Sequence, residues 1–422
     1  MLLLLTKLLR AFIHVGTLEI LLKDGRLISI EGPIKGHHIR LGLDNIYGLW
    51  SLVLRPDLKL GELYMKGDLT LIKGDLRGLL AFAVANKGHW EASKFGRITL
   101  ILARMRSRFS FGNHLRVAAR NVRHHYDLGD DLYRLFLDDW RQYSCGYFED
   151  EDDLLDTAQQ RKIARIAAKL CLDDQHRLLD IGCGWGGLAT ALSQLGPKIH
   201  VTGITLSENQ LSYAQKQTKL QGMTDRLDFQ LMDYRKMSGQ FDRIVSVGML
   251  EHVGPTHFSP YFRQIERLLK PDGVALIHAI GTNHRTSHCN AWINKYIFPG
   301  GYLPDLSEMT EHVMQAGLTL TDIEIWHQHY AYTLNAWHER FLAASDRLPD
   351  RYDAEFQRMW RFYLSGCEQL FRQGHIMVFQ LQITKDPLSV PLCRSYIEEK
   401  QRGYEQTLWQ IPPFGRRPHL KR

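Results

Sequence analysis

From residue 158 onward, helical and strand patterns alternate along the chain, and this alternation constrains the fold more than any other feature. Strands are predicted at 177–182, 200–207, 227–234, 241–249 and 273–280, and helices at 158–170, 186–195, 209–222 and 261–270. Strands that alternate with helices at this spacing form a parallel sheet covered by helices on both faces. The sequence therefore predicts an α/β fold built on a doubly wound sheet.

The first 92 residues carry a different pattern. Residues 14–75 are predicted as short strands around turns such as Asp24-Gly25, and 76–87 as a helix. Before them, Lys7 and Arg10 interrupt the apolar run of MLLLLTKLLRAF, which favours an amphipathic helix at Leu2–Phe12 over a signal peptide. No stretch reaches the length of a membrane span. We therefore expect a small N-terminal α+β domain at 1–92.

The 422 residues carry a net charge of +7, and much of the excess lies in one stretch. Between Lys94 and His125 there is no acidic residue, and the cationic residues there are Lys94, Arg97, Arg104, Arg106, Arg108, Arg116, Arg120 and Arg123. Interleaved apolar and aromatic residues suit an anionic membrane surface or a nucleic-acid backbone, and the charge pattern alone equally suits a solvated linker. We predict a basic linker at 93–123, a catalytic domain at 124–390 and a C-terminal tail at 391–422.

The six cysteines are scattered, with no CxxC pair. This spacing is poorly suited to a disulfide framework or a zinc site, and it favours a reducing cytoplasm. The histidine pairs His124-His125 and His327/His329 lack an acidic or thiol companion at a recognised ligand spacing, so no metal site is predicted.

A glycine-rich loop, Gly182-Cys183-Gly184-Trp185-Gly186-Gly187, lies between a predicted strand and a predicted helix, where parallel sheets bind ligands. A dinucleotide site would need an acidic residue at the end of the second strand, and none occurs before Glu208. S-adenosylmethionine needs close backbone approach and polar partners, which the loop glycines, Asp180 and Asp233 supply. Together with the helix, turn and strand at 268–278, this order of elements indicates a class I methyltransferase.

Other polar residues fall near the place where a transferable methyl group would lie. Glu251 closes the fourth strand and His278 ends the fifth, and a carboxylate beside an imidazole can hold a small anion or relay a proton. The aromatic segment 143–148 has the composition of a lid. Taken singly, these residues are better explained as a helix-start Glu, a satisfied His and aromatic packing. Cys367, at helical spacing among apolar residues, has a buried structural role as its default.

Taken together, several motifs resemble those of the cyclopropane-fatty-acid synthase family, which includes the mycolic acid cyclopropane synthases. The motifs are YSCGYF at 143–148, LLDIGCGWGGLA at 178–189, GITLSENQ at 203–210, MLEHVG at 249–254, WINKYIFPGGYLP at 292–304 and HYAYTLNAWHERF at 329–341. The resemblance runs from about His124 to Ile383. The N-terminal region matches only in position the lipid-binding module of longer members.

The resemblance implies transfer of a methylene from S-adenosylmethionine to a cis double bond of an unsaturated phospholipid acyl chain, forming a cyclopropane ring. It implies a bicarbonate proton acceptor held by Cys145, Glu251, His278 and Tyr330, and it maps the family's active-site cysteine onto Cys367. Since this scheme needs no thiol nucleophile, we expect Cys367 to shape the pocket. The implied cofactor contacts are Tyr143, Ser144, Gly182, Cys183, Gly184, Thr205, Gln210, Asp233 and Tyr234, to which the loop pattern adds Asp180 and Gly186.

Some positions depart from the family pattern: Tyr234 replaces Trp, Gly146 replaces Ala, and Tyr332 replaces Arg. Relatives also differ in product, so a methyl- or methylene-branched chain is the nearest alternative. A nucleic-acid methyltransferase is disfavoured because no NPPY-type motif follows the fourth strand, and a non-catalytic lipid-binding protein is disfavoured by the intact glycine loop. We expect a cytoplasmic enzyme, peripheral on the inner membrane face. Its expected partners are a phospholipid surface and an unsaturated acyl chain, with no nucleic acid and a homodimer left open.

Overall fold

The computed structural model describes residues 2–93, residue 96, 129–283 and 290–412. The chain forms two compact units. The first contains the N-terminal region together with His288–Pro299 and Phe341–His375, and the second contains Gly112–Ser287, Gly300–Arg340 and Ile376–Arg422. Two segments of the predicted catalytic domain thus belong to the first unit. The predicted basic linker lies almost wholly outside the described residues. Within the described ranges, no helix is long and apolar enough to cross a membrane.

The N-terminal part of the first unit combines a sheet with helices. Its strands are β1 (Val15–Leu22), β2 (Leu27–Glu31), β3 (Ile34–Leu43) and β4 (Leu69–Lys73), in the spatial order β2-β1-β3-β4. Its helices are α1 (Leu2–Phe12), α2 (Ile46–Leu54), α3 (Pro56–Lys66) and α4 (Leu76–Ala92). Residues of β1 alternate between buried and half-buried, as expected for a sheet packed on one face. The helix predicted at Leu2–Phe12 and the α+β character are both confirmed.

Helices α2 and α3 occupy a region where the turn pattern had predicted strands. The side chain of Asn45 caps α2 by accepting a hydrogen bond from the Gly48 amide at 3.0 Å. Pro56 begins α3, where its missing N–H has no cost. These two helix-start signals outweigh the strand pattern, so the prediction for residues 46–66 was wrong.

The remaining elements follow in chain order. The strands are β5 (Arg177–Ile181), β6 (His200–Thr205), β7 (Leu227–Leu231), β8 (Phe241–Val247), β9 (Leu269–Thr282), β10 (Thr319–Trp326) and β11 (Ile376–Thr384). The helices are α5 (Asp130–Phe136), α6 (Leu155–Lys169), α7 (Gly187–Ser193), α8 (Glu208–Leu220), α9 (Phe258–Leu268), α10 (Ala291–Tyr296), α11 (Leu306–Gln315), α12 (His329–Ala343), α13 (Ala354–Arg372) and α14 (Tyr396–Gln410). Helices α10 and α13 belong to the first unit, where α10 packs on α3, and α13 packs on α3 and α4.

The second unit is built on a seven-stranded sheet with the order β10-β11-β9-β8-β5-β6-β7. Strands β5 to β9 pair in parallel, which confirms the predicted doubly wound arrangement. Strand β11 runs antiparallel between β9 and β10, a feature that the sequence pattern did not show. Its register places Gln380 directly opposite His278.

Helices cover both faces of this sheet. On one face, Leu179, Ile244 and Ile277 contribute to a cluster with residues of α9 and α11. Their neighbours along the strands point to the other face, where Leu178 and Leu276 contribute to a cluster with residues of α6 and α7. The resulting three layers hold the central strands rigidly and leave their carboxyl ends available for a site.

The C-terminal region predicted as a tail contains helix α14, which packs on α6. Ile397 and Leu408 of α14 are fully buried, and the Tyr404 hydroxyl donates a hydrogen bond to the Leu172 carbonyl at 2.7 Å. The described part of this region is therefore an integral layer of the second unit, and the prediction of a tail is corrected for it. The physical reason is the apolar face of α14, which requires a packing partner.

Candidate active site

A cavity opens at the carboxyl ends of β5 to β8. Its empty volume, including the open mouth, is about 1080 Å³. The residues predicted to contact the cofactor that line it are Tyr143, Ser144, Asp180, Gly182, Cys183, Gly184, Thr205, Gln210, Asp233 and Tyr234. The remaining predicted residue, Gly186, does not line it. The structure thus brings residues from four strand ends and from the segment before α6 into one site.

The glycine loop crosses from β5 to α7 with a backbone that favours glycine. Gly182 has a φ of +83°, and a Cβ there would lie 3.0 Å from the Met249 side chain. Gly186 has a φ of +86°, and a Cβ there would lie 2.7 Å from the Phe229 ring. Gly182 therefore keeps the cavity wall open, whereas Gly186 allows the loop to pack against the sheet.

Asp180, at the end of β5, provides an acceptor in the cavity wall. Its side chain is buried, and its Oδ2 has no hydrogen-bond partner among the described residues. Burial raises the pKa of this carboxyl to about 7, although the charge of Lys162 opposes the rise. An unpartnered buried oxygen is ready to accept a hydrogen bond from a ligand. The cationic amino group of S-adenosylmethionine is such a donor, so the residues present fit this cofactor.

Polar side chains at the ends of β6 and β7 are already paired with one another. The Thr205 hydroxyl donates to the Gln210 side-chain oxygen at 2.9 Å. The Asp233 carboxylate accepts hydrogen bonds from the Arg235 backbone amide at 2.9 Å, its Nε at 2.8 Å and its Nη2 at 2.7 Å. Arg235 was not predicted from the sequence, although its opposite charge two residues after Asp233 was a usable signal. Other lining residues that were not predicted include Arg141, Gln142, Met232, Met249 and His252.

Glu251 lies just after β8 and places its carboxyl group beside β9. Its Oε1 accepts a hydrogen bond from the Ile280 amide at 2.6 Å, while its buried Oε2 has no partner within the described part of the chain. Burial raises the pKa of this carboxyl to about 7, and the Ile280 amide opposes the rise. The Glu251 carbonyl in turn accepts from the Tyr302 amide at 3.0 Å. Glu251 therefore presents one free oxygen and exchanges a proton near neutral pH.

His278 lies on β9 and is 2% exposed. Burial, and then the charges of Lys162 and Lys169, hold the pKa of this imidazole well below its usual value, so it is neutral. Its Nδ1 lies 3.1 Å from the side-chain nitrogen of Gln380. With the Gln380 amide in this orientation, its nitrogen donates to Nδ1, which assigns the ring proton to Nε2. His278 is therefore a neutral hydrogen-bond donor.

Cys145 is fully buried in the segment that precedes α6. Its thiol donates to the Gly146 carbonyl with a sulfur–oxygen distance of 3.3 Å. Burial raises the pKa of this thiol, so it stays protonated at neutral pH. A protonated buried thiol is a weak nucleophile, and its contribution here is shape and a polarisable wall.

Tyr330, also buried, lies at the start of α12, where its ring contacts Trp337. The lining of the cavity does not include Tyr330, Cys145, Glu251 or His278. Thr333, one turn later, accepts a hydrogen bond from the Gly146 amide at 2.9 Å. The centroid of the Trp326 ring lies 5.0 Å from those of Tyr147 and His278. These contacts join the 143–148 segment, α12 and β9, which are far apart in the sequence.

Cys367 lies on α13 in the first unit and is partly buried. It is not among the residues that line the cavity of the second unit. Its assignment to the active site, and the expectation that it shapes the pocket, both stay predictions. In the described ranges, no group of three His, Cys, Asp or Glu side chains could hold a metal ion.

Comparison with known proteins gives a consistent result. The model of the mycolic acid cyclopropane synthetase family matches residues 113–381. The chain is 43% identical over 264 residues to the cyclopropane-fatty-acyl-phospholipid synthase of Escherichia coli strain K12, covering 62% of this chain and 66% of that enzyme. It is 35% identical over 345 residues to the tuberculostearic acid methyltransferase UfaA1 of Mycobacterium tuberculosis, covering 77% and 78%. The E. coli alignment thus spans about two thirds of the relative's length.

Solved structures of cyclopropane synthases also match the chain. The cyclopropane synthase MmaA2 of Mycobacterium tuberculosis matches with a TM-score of 0.60 and 35% identity, covering 63% of this chain and 97% of that one. The mycolic acid cyclopropane synthase CmaA1, in complex with SAH and CTAB, matches with a TM-score of 0.59 and 34% identity, with the same coverage. The predicted resemblance and class I methyltransferase fold are confirmed. The chain belongs to the mycolic acid cyclopropane synthetase family of S-adenosylmethionine-dependent methyltransferases.

Proposed function

We propose that this chain converts unsaturated phospholipid acyl chains to cyclopropane chains, with bicarbonate as the proton acceptor. The observation that carries this proposal is the buried Glu251 carboxyl, which has an unpartnered oxygen beside the strand that carries the neutral His278. The E. coli relative, a cyclopropane-fatty-acyl-phospholipid synthase by name, supports the substrate class.

The cofactor end of the site would hold and orient S-adenosylmethionine. When bound, S-adenosylmethionine supplies an electrophilic methyl group. Asp180 would accept a hydrogen bond from its amino end, and the glycine loop would allow close approach of the backbone. The Tyr143 ring stacks on Trp337 at a centroid distance of 4.9 Å and helps to exclude water. Because an alkene is a weak nucleophile, positioning in a dry site supplies much of the acceleration.

The other end of the site suits a small anion that removes a proton. When bound, bicarbonate supplies the base that ring closure requires. Glu251 Oε2 can accept a hydrogen bond from the hydroxyl of the anion, while His278 Nε2 and the Tyr330 hydroxyl can donate to it. Cys145 stays protonated and His278 has no free nitrogen lone pair, so neither is a strong nucleophile that would trap a cationic reaction centre.

The first unit supplies a lipid-facing surface in this proposal. Helix α1 exposes 74% of Leu3 and 54% of Leu4, and α2, which packs on α1, exposes 77% of Tyr47. Lys7 and Arg10 of α1 are also exposed. Apolar side chains beside cations suit an anionic bilayer surface. We therefore place the enzyme in the cytoplasm, peripheral on the inner membrane face.

Incubation with methyl-labelled cofactor and vesicles of unsaturated phospholipid tests the reaction. Label in the lipid together with high-field cyclopropane protons in its NMR spectrum supports the proposal. Label without ring protons indicates a methyl- or methylene-branched product, as the name of the UfaA1 relative suggests. Absence of label overturns the lipid substrate. Vesicles of saturated phospholipid are the control.

A separate experiment tests bicarbonate as the base: bicarbonate-free buffer should lower turnover, and added bicarbonate should restore it.

Co-sedimentation with anionic vesicles tests the surface separately. Replacing Leu3 and Leu4 together by Asp should lower vesicle binding about tenfold or more, because two apolar contacts are lost and two repulsive charges gained. Leu220→Asp is the matched control, since Leu220 is 71% exposed on α8 of the second unit. High salt should weaken vesicle binding more than cofactor binding. Equal binding by the double variant and the wild type would contradict the proposed surface.

A further inference from the structure

Helix α6 carries two lysines whose side chains are fully buried, Lys162 and Lys169. A buried ammonium group is costly unless other groups compensate for the lost water. Lys169 is compensated by ion pairs to Asp322 at 2.9 Å and Glu324 at 2.5 Å, both on β10. For Lys162, the described residues provide no carboxylate within 4.0 Å, and its ammonium donates to the Ser144 hydroxyl at 2.7 Å. The two lysines therefore serve different purposes.

The contacts of Lys162 lie at the cavity wall. Ser144 lines the cavity. Gln159, less than one turn before Lys162 on α6, donates to the Ser144 carbonyl at 2.8 Å. Helix α6 thus holds Ser144 by both its side chain and its backbone. This leaves the flanking residues Tyr143 and Cys145 little freedom to move.

The surroundings of Lys162 also carry charge from several elements. Its ammonium interacts electrostatically with Asp138, Cys145 and Asp180. The same ammonium lowers the pKa of His278. Asp138 is already used by the backbone, since it accepts from the Trp140 amide at 2.9 Å. Asp180 has an unpartnered oxygen in the described structure and lines the cavity. Of the two carboxylates that interact with Lys162, Asp180 is therefore the one that is open to a ligand in the cavity.

We propose that Lys162 is a positioning residue of the cofactor site: its buried ammonium holds Ser144 in the wall of the cavity that Asp180 also lines. This proposal rests on cofactor binding by the family. It does not depend on the lipid substrate or on bicarbonate.

Removal of the Lys162 ammonium should change the pH dependence of cofactor binding. Burial raises the pKa of Asp180 to about 7, and Lys162 opposes this rise. The other group that interacts with Asp180 is the Cys183 thiol, whose own pKa is raised by burial. Asp138, the acidic neighbour of Lys162, interacts with Asp156 as well. Without the ammonium, the Asp180 pKa rises further, the carboxyl is protonated at neutral pH, and the acceptor for the cofactor is lost.

Calorimetric titration with S-adenosylmethionine between pH 6.5 and 9 tests this. Lys162→Met should weaken binding about tenfold or more at pH 7, because a buried charged contact is removed. The difference from the wild type should narrow at pH 9, because Asp180 then ionises without help and because burial lowers the pKa of Lys162 itself to about 8. Lys162→Arg, which keeps the charge, should restore affinity at pH 7. Lys169→Met is the matched control, a lysine equally buried on the same helix. It should lower stability while the folded protein binds cofactor with the wild-type pH profile.

If Lys162→Met and Lys162→Arg both lost the same amount of affinity for S-adenosylmethionine at every pH, Lys162 would have a packing role and the proposal would be overturned. Unchanged affinity in Lys162→Met would do the same. If Lys162→Met does not fold, NMR of lysine-labelled wild-type protein replaces it. The Lys162 resonance should then shift on addition of S-adenosylmethionine while that of Lys169 does not, and a silent Lys162 resonance contradicts the proposal. Since only binding is measured, failure here is distinguishable from failure of the lipid reaction.

Discussion

The two ends of the active-site neighbourhood differ in how their polar side chains are satisfied. At the cofactor end, Thr205 is paired with Gln210 and Asp233 with Arg235, while Asp180 keeps one unpartnered oxygen in the described structure. At the proton-transfer end, Glu251 keeps an unpartnered oxygen in the described structure. Burial raises the pKa of Glu251 and lowers the pKa of His278, so it favours the neutral form of both groups. Paired groups recognise a ligand with little reorganisation, whereas desolvated unpaired groups respond strongly to one added charge or proton.

This difference predicts that substitutions at the two ends separate binding from turnover. Glu251→Gln keeps the size of the side chain and its hydrogen bond from Ile280 but removes the titratable oxygen. Turnover should fall by about 10²–10⁴-fold, the usual contribution of a positioned acid or base. Cofactor affinity should stay within about threefold of the wild type, because the paired groups are untouched. Incorporation of label into lipid and calorimetry with S-adenosylmethionine measure the two quantities.

The matched control for that experiment is Glu311→Gln, since Glu311 is exposed on α11. It should change neither quantity. If cofactor affinity in Glu251→Gln fell in parallel with turnover, the two ends would not be separable, and the anion-holding role of Glu251 would be wrong.

The same carboxyl group predicts a pH dependence of stability. Burial raises the Glu251 pKa from 4.5 to about 7, so between these values the folded state binds more protons than the unfolded state. Stability therefore falls as pH rises through this window and levels off above the folded pKa. The loss that Glu251 contributes is about 3 kcal/mol, since each pKa unit corresponds to about 1.36 kcal/mol.

Urea unfolding of the wild type and of Glu251→Gln at pH 5 and pH 8 measures this term. The wild type should lose about 3 kcal/mol more than the variant between the two pH values, because Gln does not titrate. The comparison cancels the contributions of Asp180 and Asp138, which are present in both proteins. Parallel pH profiles would show that Glu251 is solvated and would contradict the raised pKa of this carboxyl.

The cofactor end was predictable from the sequence because its signals are local. The glycine loop, Asp180 and Asp233 each stand at a strand end, and the spacing of strands and helices placed these ends at one edge of the sheet. The resemblance added further contacts such as Tyr143 and Gln210, which also line the cavity. Lining residues such as Arg141 and Arg235, which belong to no motif, were not predicted, and neither were Met249 and His252, which lie within one.

The proton-transfer end was named by resemblance, but its physical character depends on distant packing. Lys162 and Lys169 look like ordinary polar positions on an amphipathic helix. Lys169, whose charge helps to keep His278 neutral, pairs with Asp322 and Glu324 of β10, and β10 pairs with the unpredicted antiparallel strand β11. Local patterns do not show which residues of a helix will be covered by strands that lie far later in the sequence, so the neutral His278 was not predictable.

The smallest expected effect separates the two glycines of the loop. Gly186→Ala should lower the free energy of unfolding by about 1–3 kcal/mol through its positive φ and its contact with Phe229. Gly239→Ala is the control, because Gly239 has a similar φ of +89° and open space at the Cβ position. The stability difference between the two variants isolates the contact with Phe229. Because Gly186 does not line the cavity, folded Gly186→Ala should bind S-adenosylmethionine within about threefold of the wild type. A loss of affinity well beyond that, with stability unchanged, would return Gly186 to the cofactor end as a contact residue.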